Sequence, residues 1–163
     1  MAKNKEEKTN VMRVLEQKKI AYTAHTYPHE EGMAVDGVTV AKSMGFDPAI
    51  VFKTLVARGA SKQYYVFDVP VAENLDLKKA AKAVGEKSIE MIHQKELLPL
   101  TGYVHGGCSP GGVEKLFPTV FHETAENLET MIVSAGKIGY QVELAPRDLA
   151  ALVRAKFADI IVE

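Results

Sequence analysis

Hydrophobic and polar positions change their period several times along the chain, which predicts short helices and strands in alternation. Near the N-terminus, apolar residues three and four apart predict a helix from residue 9 or 10, whose polar side chains can cap it, to about residue 18. Residues 22–27 alternate and are rich in β-forming residues, so they predict a strand. Asp36 is placed to cap a short helix that stops at Gly45.

The strongest strand pattern lies in the middle of the chain, at residues 51–58 and 63–70. The turn-forming residues between these runs predict that they form a β-hairpin. Asp76 then caps a predicted helix over residues 77–84, and Gly85 ends it. The other predicted elements are a strand at 88–92, a short helix at 94–98, strands at 119–122, 130–134 and 140–144, a helix at 147–153 opened by Pro146, and a last strand at 158–162.

This order of elements predicts an α+β fold, because strands and helices are interspersed without a regular β–α–β rhythm. We expect a mixed, mostly antiparallel sheet that curls towards a barrel and is surrounded by short helices. The length of 163 residues suits a single compact domain with a proper core. We expect residues 1–8 to be a flexible N-terminus and residues 9–163 to form the domain.

Composition and charge exclude several classes of protein. The net charge of −1 gives no bulk attraction to nucleic acid or to a membrane surface. The chain has no apolar stretch long enough to span a membrane and no signal region, so we expect a cytoplasmic protein. The single cysteine, Cys108, excludes an internal disulfide and a cysteine-based zinc site. The five histidines lack metal-ligand spacing, so no metal is expected.

Two glycine clusters are the most unusual local feature. The first, at residues 102–112, has five glycines, and the second lies at residues 134–139. Such loops either make tight turns or let backbone N–H groups hold an oxygen-rich ligand. Neither the P-loop spacing nor the dinucleotide fingerprint is present, so no nucleotide cofactor is expected. On the residues alone, a wide turn between strands is the favoured interpretation of the first cluster.

Three other candidates for chemistry have an ordinary alternative. Lys53 lies in an apolar strand pattern, where it is either an edge lysine that reaches to water or a partly desolvated cation for a carbonyl or phosphate oxygen. Cys108 has His105 three residues away, as a nucleophile would need, but a small apolar filler is favoured. The lysines at 78–82 indicate a solvated helix face, or, together with Lys87, a basic rim near a pocket.

Four segments in order carry a resemblance to a known family. They are Phe-Lys-Thr-Leu at 52–55, the Asn-Leu-Asp-Leu-Lys-Lys run at 74–82, the glycine loop at 101–110, and Ser-Ala-Gly-Lys followed by Val-Glu-Leu-Ala-Pro at 134–146. Together they resemble the YbaK family, free-standing relatives of the editing domain inserted in prolyl-tRNA synthetase. The resemblance extends from the first helix to residues 157–160.

The resemblance implies an enzyme that deacylates mischarged tRNA, most typically Cys-tRNA(Pro), without a cofactor. The implied partners are the 3′-terminal adenosine of aminoacylated tRNA with its amino acid, and prolyl-tRNA synthetase. The resemblance further implies that the thiol of the substrate attacks its own carbonyl, so that no protein nucleophile is needed and Cys108 is a spectator. Editing of Ala-tRNA(Pro) by water, and a non-catalytic module that binds tRNA ends, are the alternatives.

The resemblance also implies which residues form the site. Lys53 is the motif lysine of the family, and backbone N–H groups near the loop glycines would fix the ester. The catalytic group would be Lys53, Gly106 and Gly107, and the substrate-binding group would be Tyr27, Thr54, Ser109, Ser134 and Gly136. The chain departs from the pattern at Gln141, where similar members often have Asp, and at Asp36, where some have an aromatic residue.

Overall fold

The computed structural model describes residues 8–27, 36–93, 95–96 and 117–163. The helices in these residues are α1 (Asn10–Gln17), α2 (Gly37–Ser43), α3 (Leu77–Val84) and α4 (Pro146–Val153). The strands are β1 (Thr23–Thr26), β2 (Phe52–Gly59), β3 (Tyr64–Pro70), β4 (Ile89–Met91), β5 (Thr119–His122), β6 (Met131–Ser134), β7 (Tyr140–Leu144) and β8 (Lys156–Ala158). Two short 3-10 helices, Pro48–Ile50 and Glu123–Asn127, precede β2 and follow β5.

The strands form two sheets. One has the order β1-β7-β6 and is antiparallel throughout. The other has the order β4-β2-β3-β5-β8, with β5 parallel to both of its neighbours. A single parallel bridge between Val51 and Ile132 joins β2 of the large sheet to β6 of the small one. The predicted α+β class and the mixed, mostly antiparallel pairing are confirmed, whereas closure into a barrel stays a prediction.

Helix ends follow the polar residues that the sequence offers. The side chain of Thr9 accepts a hydrogen bond from the Met12 backbone N–H, which satisfies one of the free donors of α1. The Asp76 carboxylate accepts hydrogen bonds from the backbone N–H groups of Lys78 and Lys79 in the first turn of α3, at 2.9 and 3.0 Å. Gly85 ends α3 with a φ of 76°, in the left-handed region that favours glycine. These predicted boundaries are confirmed.

The hairpin of β2 and β3 presents one apolar face to each side of the large sheet. Val56 and Val66 face the small sheet, α1 and α4, and belong to the largest group of buried side chains. Ala57 and Phe67 face the other way and pack with α3. Because successive side chains of a strand alternate, a residue's parity on β2 decides which of the two cores it enters.

The predicted last strand is wrong in position. The sequence favours residues 158–162, but β8 occupies Lys156–Ala158 beside β5. The chain then leaves this edge, because the Ile160 backbone N–H donates to His122 Nδ1 and its carbonyl accepts from Asp76. Ile161 bridges to Leu75 instead of continuing the pairing with β5. Of the predicted helix at 94–98, only residues 95 and 96 lie within the described part of the chain.

Candidate functional site

Polar side chains from four strands form a row where the two sheets meet. The Val51–Ile132 bridge is parallel, so Lys53 on β2 and Ser134 on β6 each follow it by two residues, on the same side of their strands as the bridge. Ser134 pairs in register with Gln141 on β7, and Gln141 pairs with His25 on β1. The register therefore brings together one cation, one hydroxyl, one amide and one imidazole.

Lys53 is partly buried at the end of this row. Lys53 lies on the same side of the strand as Val51, which packs with Ala41 and Ile132. Its side chain therefore extends over an apolar surface, where its ammonium group is partly removed from water. Burial lowers the pKa of Lys53, and the negative charges of Asp36 and Glu73 oppose that decrease. A partly desolvated ammonium attracts an oxygen ligand more strongly than an exposed one. The binding role of Lys53 stays a prediction, and its partial burial is the feature that such a role requires.

The second glycine cluster forms a tight turn beside Lys53. Ser134 Oγ accepts a hydrogen bond of 3.1 Å from the Gly136 backbone N–H. Gly136 and Gly139 have φ values of 95° and 96°, which a residue with a side chain rarely adopts. The Gly139 carbonyl accepts from the Tyr27 backbone N–H at 2.9 Å. The predicted residues Tyr27, Ser134 and Gly136 thus lie at the same end of the small sheet, and the Val51–Ile132 bridge joins that sheet to the strand that carries Lys53.

Gln141 is the buried amide of the polar row. Its side chain is 7 % exposed, and its Oε1 accepts no hydrogen bond within the described ranges. A buried carbonyl oxygen without a donor carries a desolvation cost of about 1–3 kcal/mol. An N–H or O–H group brought by a ligand would remove that cost.

Asp36 has a structural role, because it caps a helix next to the site. Its carboxylate caps α2 by accepting from the Thr39 backbone N–H at 3.1 Å. This contact gives the acid a structural role, and Asp36 also places a negative charge near Lys53.

His25 is held in place by Glu143, which also accepts a hydrogen bond from Thr130. His25 Nε2 lies 2.8 Å from Glu143 Oε1, and its ring packs against Phe46 with a centroid distance of 4.8 Å. The other oxygen of Glu143 accepts from the Thr130 hydroxyl. The hydrogen bonds from Thr130 and then His25 lower the pKa of Glu143. These contacts stiffen the outer edge of the row next to Gln141.

Thr54 lies on the opposite side of β2 from Lys53. Its hydroxyl donates a hydrogen bond of 2.5 Å to Asp68 Oδ1, the residue opposite it on β3. In this structure the hydroxyl is bound to a buried carboxyl group, and the predicted contact of Thr54 with the substrate stays a prediction.

Asp68 is a feature that the sequence interpretation missed. It is completely buried, and its Oδ2 has no hydrogen-bond partner among the residues that the structure describes. Burial raises the pKa of Asp68 to about 7, and the hydrogen bond from Thr54 only partly opposes this. The signal was available, because Asp68 is the single acidic residue in an otherwise apolar or aromatic strand.

The remaining predicted residues, Gly106, Gly107 and Ser109, lie outside the described residues, as does Cys108. Within the described ranges, no group of three or more His, Cys, Asp or Glu side chains is arranged to hold a metal ion. None of the helices in these ranges is long and apolar enough to cross a membrane.

Comparisons with known proteins identify a family and several similar proteins. Residues 29–152 match the aminoacyl-tRNA editing domain family. The chain is also 45 % identical over 161 residues to EbsC of Enterococcus faecalis, a protein named for Cys-tRNA(Pro)/Cys-tRNA(Cys) deacylase activity. The match covers 98 % of each of the two chains.

Solved structures share the fold. A crystal structure described as a trans-editing enzyme for prolyl-tRNA synthetase superposes with a TM-score of 0.79 at 24 % identity, covering 94 % of this chain and 95 % of the other. A hypothetical protein, APE2540, superposes with a TM-score of 0.82 at 18 % identity, covering 93 % and 99 %. At these identities the two structures establish the α+β architecture alone.

Proposed function

The chain belongs to the aminoacyl-tRNA editing domain family, and we propose that it removes cysteine from mischarged Cys-tRNA(Pro). The observation that carries this proposal is the partly buried Lys53 at the end of a polar row, beside the Ser134–Gly136 turn. The high identity to EbsC, which is named as a deacylase of Cys-tRNA, supports the choice of amino acid. The substrate is therefore an ester between a cysteine carboxyl group and the ribose of a terminal adenosine.

The chemistry requires positioning more than a strong base, because an aminoacyl ester is already activated. In the proposed reaction, the cysteine sulfur of the substrate forms a bond to its own carbonyl carbon. The bond between that carbon and the ribose oxygen breaks, and the proton lost from the thiol ends on the ribose hydroxyl. The products are a cysteine thiolactone and free tRNA, so the protein supplies no nucleophile.

Lys53 has the electrostatic role in this reaction. Negative charge develops first on the carbonyl oxygen and then on the ribose oxygen that leaves. A fixed ammonium stabilises either oxygen more strongly in a partly desolvated site than in water. The backbone N–H groups of Gly106 and Gly107 are the predicted further donors to the ester.

Gln141 is suited to the amino group of the substrate. Its Oε1 is buried and lacks a donor within the described ranges, and the α-ammonium group of an aminoacyl ester offers three N–H donors. An amide oxygen in this place accepts a hydrogen bond but adds no negative charge. Gln141 would therefore orient the α-ammonium group without neutralising it.

Prolyl-tRNA synthetase is the proposed source of tRNA selectivity. A chain with a net charge of −1 lacks a strong field for distinguishing one tRNA body from another. We propose that the synthetase holds tRNA(Pro) while this protein samples the charged 3′ end, in the cytoplasm where translation takes place.

The test is deacylation of tRNA(Pro) charged with cysteine, alanine or serine, with and without the synthetase. We expect fast release of cysteine, and much slower release of serine because its hydroxyl is a poorer nucleophile than a thiol. Alanine should be released no faster than serine. Faster release of alanine would indicate attack by water and editing of Ala-tRNA(Pro). No release of any amino acid would indicate a module that binds tRNA ends without catalysis.

A further inference from the structure

An open groove of about 570 Å³ lies between α3 and β4, away from the polar row. Its floor is apolar and includes Ala81 and Ile89, and Leu77 at its end is 40 % exposed. Three exposed lysines, Lys78, Lys82 and Lys87, stand around it.

These three lysines are distinct from the neighbouring Lys79. Lys79 Nζ is bound to Asp159 at 3.0 Å and to Glu163 at 3.2 Å, so acids at the chain's end satisfy its charge. By contrast, the side chains of Lys78, Lys82 and Lys87 make no ion pair with any residue in the described ranges. Three positive charges are thus available to a ligand on one small surface.

The one acid that lines the groove is already satisfied by donors from the hairpin. The Glu86 carboxylate accepts from the Ser61 backbone N–H at 3.1 Å, from the Ser61 hydroxyl, and from the Tyr65 hydroxyl at 2.6 Å. Its hydrogen-bonding capacity is directed to β3 and the turn before it. The groove as a whole therefore carries an excess of positive charge in a chain whose net charge is negative.

We propose that the groove formed by Lys78, Lys82 and Lys87 binds the sugar-phosphate backbone of the tRNA substrate. Flexible ammonium groups contact phosphates as point charges and read no base sequence. The apolar floor accommodates the carbon faces of the ribose rings. This proposal rests on the proposed function, since it assigns a second contact for the same substrate.

The distance to the polar row agrees with one RNA strand reaching both places. Ile89 in the groove pairs with Gly59, which follows Lys53 by six residues on β2. At about 3.3 Å per residue, this is about 20 Å along the strand. Nucleotides of a stacked strand rise about 3.4 Å each along the helix axis, so a 3′ end at Lys53 places phosphates about six nucleotides upstream beside the groove. In tRNA that position belongs to the paired acceptor stem.

The experiment measures binding of uncharged tRNA(Pro) between 50 and 200 mM salt. The variant is K78Q/K82Q/K87Q, and the matched control is R13Q/K18Q/R147Q. The control removes three exposed charges from α1, from the residue that follows α1 and from α4, on the opposite side of the large sheet. Loss of three phosphate contacts should reduce the slope of log affinity against log salt by about 2–3. Over this fourfold range of salt, the wild type should therefore lose about 16- to 64-fold more affinity than the groove variant. The control should keep the wild-type slope.

A second readout separates this proposal from the proposed function. With Cys-tRNA(Pro), the groove variant should have a raised KM and an unchanged kcat, while a short cysteinyl CCA fragment should be cleaved equally by both proteins. If the wild type cleaves neither substrate, the proposed deacylase function is wrong. The salt dependence of tRNA binding then still shows whether the groove binds the tRNA backbone. Equal slopes for wild type and groove variant would overturn the groove, as would an equal loss in the control. A variant that keeps its tRNA slope but loses stimulation by the synthetase would point to a protein partner instead, and would also overturn it.

Discussion

Replacing Asp68 with Asn should change how stability depends on pH. Asp68 is completely buried in the core between the two sheets, with one oxygen bound to Thr54 and the other without a partner in the described ranges. Its pKa is about 7, against 3.8 for an ordinary aspartate. The folded protein therefore holds this proton more tightly by about three pH units, which corresponds to about 4 kcal/mol.

The direction follows from the raised pKa. The stability that the bound proton contributes is fully present below pH 3.8 and is lost as the pH rises to about 7. Asn is neutral at every pH and has nearly the same shape, so the variant does not lose this contribution. Between pH 5 and pH 8, the free energy of unfolding of Asp68→Asn should rise relative to wild type by about 3 kcal/mol.

Urea unfolding at several pH values between 5 and 8 measures this difference. Thr54→Val is a matched second variant, because removing the hydrogen bond that lowers the Asp68 pKa should move the loss of stability to higher pH. If the difference between wild type and Asp68→Asn is the same at pH 5 and pH 8, the carboxyl group titrates as an ordinary aspartate and the reasoning is refuted.

Cys108→Ala should keep the wild-type rate on Cys-tRNA(Pro), because the substrate supplies the sulfur; a folded but inactive variant would mean that the protein uses its own thiol. Asp76→Ala should lower the free energy of unfolding by about 1 kcal/mol in urea, since two backbone N–H groups of α3 lose their acceptor; an unchanged midpoint would mean that the cap contributes nothing. Gly85→Ala should cost about 1–2 kcal/mol in the same assay, from its φ of 76° alone, because a Cβ there meets no atom within 4 Å; a much larger loss would indicate a steric clash.

Local patterns predicted the parts of the fold that depend on local forces. The caps at Thr9 and Asp76, the stop at Gly85 and the β2–β3 hairpin each follow from hydrogen bonds or backbone angles of residues close in sequence. The last strand could not be placed this way. Its end depends on bonds from Ile160 to His122 and Asp76, which are distant in the chain.

The candidate site was partly predictable for the same reason. Lys53 and the Ser134 turn stood out as a charge in an apolar run and as a glycine cluster. Their proximity depends on the Val51–Ile132 bridge, which joins residues about 80 positions apart and leaves no local pattern. The hydrogen bond between Thr54 and Asp68 depends on the register of β2 and β3. A shift of one residue would place the two side chains on opposite faces of the sheet.

The most direct test of the central claim is the rate of Cys-tRNA(Pro) deacylation by Lys53→Ala, beside wild type and the exposed-lysine control Lys42→Ala. Loss of a cation that stabilises developing charge should cost about 2–4 kcal/mol, which is a 30- to 1,000-fold decrease in kcat/KM. The control should retain the wild-type rate, and all three proteins should unfold at similar urea concentrations. A folded Lys53→Ala protein that deacylates Cys-tRNA(Pro) at the wild-type rate would contradict the account, because the reaction would then not take place at this site.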